Sequence, residues 1–145
     1  MRKLKTLTSL FSLLLMFVSF VASAEQKIVK EDWDIHYIAF PSSFIEPAVA
    51  NEYQLQRSRY MAIVNISVLD NTNEDKAQNV SLTGTARNLL GQTKTLSFKK
   101  VKEGSAIYYL AQVKYRDQET LKFTIEIQRG NRVETIEFSK KMYVD

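Results

Sequence analysis

Alternation of apolar and polar residues with a period of two is the feature that most limits how this chain can fold. It is clearest in LKFTIEIQ, where Leu121, Phe123, Ile125 and Ile127 alternate with polar residues. Successive side chains of a strand point to opposite faces, so this pattern predicts a strand with one buried face. The same alternation recurs at residues 60–69, 107–115 and 133–144, and more weakly at 31–40, 78–88 and 93–101.

Polar and glycine-containing segments separate these runs and are typical of turns. They are DNTNED at 70–75, Gly91, Gly104 and RGNR at 129–132. About seven strands with short connections predict an all-β fold, an immunoglobulin-like antiparallel β-sandwich. A small closed barrel is the alternative.

One segment, SSFIEPAVANEYQL, departs from the strand pattern. Pro47 can occupy the first turn of a helix, where its missing N–H costs nothing. We therefore expect one short helix after the first strand, crossing to the strand at 58–69.

The first 24 residues have the three parts of a secretory signal peptide. Lysine and arginine lie near Met1, an apolar run of about a dozen residues extends from Leu10 to Val21, and Ala22-Ser23-Ala24 supplies small residues. We predict cleavage after Ala24, a single domain over residues 25–145 and a periplasmic location. A spanning helix needs about 20 apolar residues, so we expect no membrane insertion after cleavage.

Composition narrows the possible functions further. Cleavage would leave seventeen basic and sixteen acidic residues, a net charge of +1 that predicts no binding to nucleic acid or to an anionic membrane. The chain has no cysteine and one histidine, which excludes thiol catalysis and multi-histidine zinc sites. We predict no metal and no cofactor. The pairs Lys99-Lys100 and Lys140-Lys141 are typical of solvated sheet edges.

The stretch HYIAFPSSFIEP raises the possibility of a hydrolase. Asp34 could orient the imidazole of His36, and Ser42 or Ser43 could supply a nucleophile. The chain lacks the G-x-S-x-G elbow, however. The structural alternative is a corner where the serines satisfy backbone N–H groups, while Phe40 and Phe44 close one end of the sandwich.

Two arginines suggest a second hypothesis. Arg57 and Arg59 share a face if the strand begins there, and two guanidinium groups side by side need an anion between them. Glu46, Glu52 or Asp34 could pair with them and pin the helix to the sheet. Alternatively, the arginines could bind a carboxylate or phosphate. The full candidate binding corner comprises His36, Tyr37, Phe40, Ser42, Ser43, Arg57 and Arg59.

Several of these residues also carry a resemblance to a known family. They are His36-Tyr37, Ala39-Phe40-Pro41-Ser42-Ser43-Phe44, Pro47, Arg57-Ser58-Arg59, Asn65-Ile66-Ser67-Val68-Leu69, Gly84-Thr85, Asn88-Leu89, Gly91-Gln92 and Ala106-Ile107-Tyr108-Tyr109. Together they resemble small exported proteins of gammaproteobacteria grouped as domain of unknown function 4426. The resemblance covers nearly the whole mature chain. It implies a periplasmic immunoglobulin-like sandwich, and it implies no reaction.

The leading functional hypothesis is a non-enzymatic interaction module for another envelope protein or an extended peptide, because a sandwich edge can accept an added strand. The alternatives are a small-ligand or anion binder using His36, Arg57 and Arg59, and a hydrolase using His36 with Ser42 or Ser43.

The signal-peptide prediction can be tested directly. N-terminal sequencing of the protein recovered after export should find Glu25 as its first residue, because Ala22 and Ala24 are the small residues that the peptidase selects. A protein that still begins at Met1 would contradict the prediction.

Overall fold

The alternating segments form strands that pair into two antiparallel sheets. The structure, a computed structural model, describes residues 26–145. The strands are β1 Lys27–Lys30, β2 Trp33–Pro41, β3 Met61–Asp70, β4 Lys76–Ala77, β5 Ser81–Asn88, β6 Thr93–Leu96, β7 Lys99–Glu103, β8 Ala106–Lys114, β9 Thr120–Arg129 and β10 Arg132–Lys141. A 3-10 turn at Ser42–Phe44 and the helix α1 at Pro47–Glu52 join β2 to β3.

The sheets stack as an immunoglobulin-like sandwich, which confirms the predicted fold class. Sheet A has the order β1-β2-β3-β8-β7, with the two-residue β4 also paired to β3, and sheet B has the order β10-β9-β5-β6. Residues 26–145 contain ten strands rather than the seven expected. The short strands β1 and β4 were not predicted. In addition, the single strand expected at 93–101 is two strands in different sheets, because the chain crosses between sheets at Ser97-Phe98.

The core lies between the inward faces of the two sheets. The alternation predicted one buried side for β3 and for β9, and in the structure these sides face each other between the sheets. Each of the predicted residues is at most 1% exposed. They are Ala62, Val64, Ile66 and Val68 of β3 and Leu121, Phe123, Ile125 and Ile127 of β9.

Arg132 of β10 links sheet B to the β1–β2 hairpin of sheet A. Its guanidinium lies 3.8 Å from the centroid of the Trp33 ring, and Trp33 is 2% exposed. The same guanidinium donates to the Asp32 carboxylate at 2.5 Å and to the Lys30 carbonyl oxygen at 2.9 Å. A planar cation that stacks on a ring while donating at its edge closes this side of the sandwich.

The segment between β2 and β3 covers part of the outer face of sheet A. Pro47 occupies the first turn of α1, as predicted. Ile45, Tyr53 and Leu55 pack with Ile63, Val101 and Leu110 in a second apolar cluster outside the main core. The first half of β3 is therefore buried on both faces. Within residues 26–145, no helix is both long and apolar enough to cross a membrane.

A buried tyrosine provides the first stability prediction. The Tyr109 hydroxyl accepts from the Val80 N–H at 2.8 Å and donates to the Gln78 carbonyl oxygen at 3.2 Å. Replacing Tyr109 with Phe leaves the buried Val80 N–H without an acceptor, so the free energy of unfolding should fall by about 1–3 kcal/mol. Chemical denaturation measures this change. Tyr143→Phe is the control, because the Tyr143 side chain is 54% exposed; equal losses in both variants would contradict the assignment.

Candidate functional site: a groove on the outer face of sheet A

A groove crosses the outer face of sheet A where α1 does not cover it. Its volume is about 320 Å³. A second depression of about 470 Å³ continues it toward residues 73–77 and 105–107, and the two share Ser67, Leu69 and Tyr108. We call this continuous depression the outer groove. The first part is lined by Gln26, His36, Tyr37, Ile38, Asn65, Ser67, Leu69 and Tyr108.

Strand register brings the groove residues together. His36 of β2 lies opposite Ser67 of β3, and Ile38 lies opposite Asn65. The pairing of β2 with β3 runs without a bulge, so the inward position of Ile35 fixes the outward position of His36. The histidine is half-buried in the groove and does not lie in the core.

The polar side chains of the outer groove have free hydrogen-bonding capacity. His36, Asn65, Ser67 and Tyr108 are half-buried, and none of their side chains forms a hydrogen bond with another residue of 26–145. The Oδ1 atom of Asn65 is buried without any partner. Buried polar groups are normally satisfied, and leaving one unpaired costs free energy. A ligand in the groove could instead supply partners to the accessible side chains of His36, Ser67 and Tyr108.

Asp34 does not orient the histidine. Its carboxylate accepts from the Asn71 amide at 3.0 Å and lies 3.5 Å from the Lys27 ammonium. The hydrogen bond from Asn71, together with the charge of Lys27, holds the pKa of Asp34 below its usual value despite partial desolvation. Since no hydrogen bond joins Asp34 to His36, the acid–imidazole pair of the hydrolase hypothesis is not formed.

The serines are also placed differently from the hydrolase hypothesis. Ser42 is fully buried, where its Oγ accepts from the Ser58 N–H at 2.8 Å and donates to the Ser58 carbonyl oxygen at 3.0 Å. Ser42 lies six residues from His36, about 20 Å along an extended strand. Ser42 therefore satisfies a backbone N–H, as expected for a structural corner, although that N–H belongs to Ser58 and neither the 3-10 turn nor α1 has a side-chain cap.

Neither arginine pairs with an acid, and Arg57 binds backbone carbonyl groups instead. Arg57 donates from Nε to the Ile45 carbonyl oxygen at 2.7 Å and from Nη2 to that of Ser43 at 3.1 Å. Arg59 lies 5.8 Å from the Tyr60 ring centroid. Neither arginine has a carboxylate of residues 26–145 within 4.0 Å, so the predicted ion-paired cluster was wrong. Both precede the first residue of β3, and they do not share a strand face.

The aromatic residues of the predicted corner separate as well. The Tyr37 ring lies 4.3 Å from that of Phe138 in sheet B, between the sheets. Phe40 packs in the second apolar cluster, on the outer face. Phe44 is 65% exposed. The expectation that Phe40 and Phe44 close one end of the sandwich was wrong, because the connecting segment runs across the face of sheet A.

Most of the groove residues were not predicted from the sequence. Asn65 and Ser67 occupy outward positions of β3, where polar residues usually mark a solvent-exposed face. A signal was nevertheless present, since Ile38 and Leu69 place apolar side chains on that same face. The alternation at 107–115 places Tyr108 and Tyr109 on opposite faces of the strand, and Tyr109 is the buried one.

The chain belongs to the family described as Domain of unknown function (DUF4426), whose model matches residues 27–145. It is similar to the crystal structure of a member of that family from Pseudomonas aeruginosa PAO1, with 36% sequence identity and a TM-score of 0.75. That match covers 83% of this chain and 96% of the other. A comparison with curated proteins found no match.

The chain is also similar to FetP of uropathogenic Escherichia coli strain F11. A copper-bound variant matches with a TM-score of 0.59 and 13% identity, covering 82% of this chain and 95% of the other. The protein as isolated matches with a TM-score of 0.58 and 12% identity, covering 81% and 93%. At this identity the likeness shows the fold alone. Within residues 26–145, no group of three or more His, Cys, Asp or Glu side chains could hold a metal ion.

The bond between Ser42 and Ser58 provides a test of the corner. Replacing Ser42 with Ala leaves the partly buried N–H of Ser58 without its acceptor and should lower the free energy of unfolding by about 1 kcal/mol. Ser43→Ala is the matched control, because only the backbone carbonyl of Ser43 takes part in the contact with Arg57. Thermal and chemical denaturation measure both variants. A Ser43→Ala variant that loses as much stability would show that Oγ of Ser42 has no special role.

Proposed function

We propose that this protein is a non-enzymatic binding module of the bacterial periplasm and that its partner lies in the outer groove. The observation that supports the proposal is the set of half-buried polar side chains without partners beside Ile38 and Leu69. Binding sites commonly combine an apolar lining with a few polar groups that fix orientation.

The same groove gives little support to catalysis. His36 has no acid that orients it, and the buried Ser42 points its hydroxyl at Ser58. Ser67 lies opposite His36 but forms no hydrogen bond with it, and a nucleophile needs a hydrogen-bonded base. The groups in the groove can act as hydrogen-bond donors and acceptors, which is all that binding requires of them. Ligand binding therefore explains the arrangement without the orienting acid and activated nucleophile that hydrolysis would need.

The chemistry of the groove favours an extended peptide segment as its occupant. The His36 imidazole and the Tyr108 hydroxyl can form hydrogen bonds with a peptide backbone, and Tyr108 offers an amphipathic ring. The two joined depressions form an elongated site on the sheet. An anion has less support, since the Arg57 guanidinium already donates to two carbonyl oxygens.

The periplasmic location rests on the signal peptide expected at residues 1–24, which lie outside the described residues. The partner is accordingly proposed to be another exported protein that presents an unpaired segment. Family membership is consistent with a binding role but assigns no activity, because the function of the family is unknown.

Photo-cross-linking in living cells tests the proposed function. A photoreactive residue at position 38 should capture a partner protein, whereas one at position 135, which is exposed on sheet B, should not. Combining the probe at position 38 with Ser67→Trp should abolish capture, because indole would fill the groove. Thr135→Trp is the matched control and should leave capture intact. Capture that is insensitive to Ser67→Trp, or equal from both probe positions, would contradict the proposal.

A further inference from the structure

We infer that one end of the sandwich, opposite the β1–β2 hairpin, docks on an anionic lipid surface. This end combines exposed apolar side chains with basic residues that have no ion-pair partner. It is separate from the outer groove and does not depend on the function proposed for the groove. We call it the basic end; it comprises residues 87–94 around the β5–β6 turn, residues 59–60, residues 114–119 and residues 141–145.

The β5–β6 turn holds two leucines in water. Leu89 and Leu90 are 85% and 83% exposed, more than any other large apolar side chain in residues 26–145. The Asn88 side chain fixes the turn: its Oδ1 accepts from the N–H groups of Leu90 and Gln92 at 3.1 and 2.9 Å. A turn that is already ordered loses little conformational entropy when its leucines insert into a lipid surface.

A carboxylate anchors this turn to the body of the domain. Nδ2 of Asn88 donates to Glu119 at 3.0 Å, and the backbone N–H of Arg116 donates to the same carboxylate at 3.2 Å. Burial raises the pKa of Glu119, but these hydrogen bonds and the nearby charges of Lys94 and Arg116 outweigh it and lower that pKa. The carboxylate therefore stays ionised and keeps the leucine turn in place at neutral pH.

Two exposed tyrosines lie at the same end. Tyr60 and Tyr143 are each 54% exposed. The backbone N–H of Tyr115 donates to the Tyr60 carbonyl oxygen at 2.9 Å, and the Tyr115 hydroxyl donates to that of Tyr143 at 3.2 Å. The backbone N–H of Met142 donates to the Glu119 carbonyl oxygen at 2.8 Å, which joins this segment to the leucine turn.

Basic residues surround these apolar groups. None of them has a carboxylate of residues 26–145 within 4.0 Å. The basic end has three acidic side chains, those of Asp117, Glu119 and Asp145. The first two accept hydrogen bonds from backbone N–H groups. The predicted mature chain is almost neutral overall, so its net charge does not reveal the local excess of basic residues at this end. The basic residues are Arg59, Arg87, Lys94, Lys114, Arg116 and Lys141.

The combination favours lipid over protein as the partner. Tyrosine rings are enriched at the depth of lipid headgroups, and cations next to an anionic leaflet each add to binding. The leucines project from a turn into water and border only a shallow depression of about 260 Å³ beside residues 116–120. The apolar groups also come from three separate segments around one end of the domain, an arrangement that suits a planar, deformable surface.

Vesicle binding tests the inference with the full-length protein as processed by the cell. Its retention on phosphatidylcholine vesicles that contain phosphatidylglycerol should exceed its retention on phosphatidylcholine alone, and it should weaken with added salt. Leu89→Ser combined with Leu90→Ser should lower the partition coefficient about tenfold or more. Arg116→Gln should lower it about fivefold.

Matched variants at the other end of the domain provide the controls. Val29→Ser combined with Val133→Ser removes two exposed apolar side chains, and Lys102→Gln removes one exposed cation; both should bind vesicles as the parent does. Circular dichroism checks that every variant is folded. Equal retention on both vesicle types, or retention unchanged by the leucine substitutions, would overturn the inference. Photo-cross-linking of a protein at position 89 in the absence of vesicle binding would also overturn it.

Discussion

The apolar layer between the two sheets, formed chiefly by β3 and β9, is the constraint on which the rest of the structure depends. Phe123, Ile125 and Ile127 are fully buried, and burying each such side chain contributes about 1.5–3 kcal/mol. The chain has no cysteine, so no disulfide can replace this packing. Because the inward faces are occupied by core residues, groups available for binding must lie on outer faces or at the ends.

The outer face of sheet A shows how such a place arises. The connecting segment buries Ile63 from outside and leaves the second half of β3 uncovered. The uncovered half keeps apolar positions at Ile38 and Leu69 but receives no packing element over them. The outer groove is therefore what remains of a face that is only partly covered. The basic end lies on other segments, so a variant in one region need not disturb the other.

The local pattern was sufficient to predict most of the long strands, but it could not predict which strands pair with each other. LKFTIEIQ contains its own burial pattern, and Pro47 marks the start of α1. By contrast, nothing within residues 93–101 shows that β6 and β7 lie in different sheets, because sheet membership depends on pairing with distant β5 and β8. The period of the apolar residues indicates which face of a strand is buried, but it does not indicate which other strand pairs with it.

The site was harder to predict for the same reason. His36 was identified because it is the single histidine, but its neighbours Asn65 and Ser67 are about thirty residues away and reach it only through the β2–β3 register. The error over Arg57 is similar in origin. Residue type indicates that a guanidinium needs acceptors, yet the path of the chain decides whether carboxylates or backbone carbonyl oxygens supply them.

The contact between Arg132 and the β1–β2 hairpin has a consequence for the order of folding. Arg132 and Asp32 are separated by 100 positions in the chain. The hairpin comes first in the chain, and Arg132 of the last strand must arrive before this side of its tryptophan is covered. Such long-range closure is slow, and the early segment stays exposed meanwhile. The domain can thus be completed only when nearly its entire length has been made.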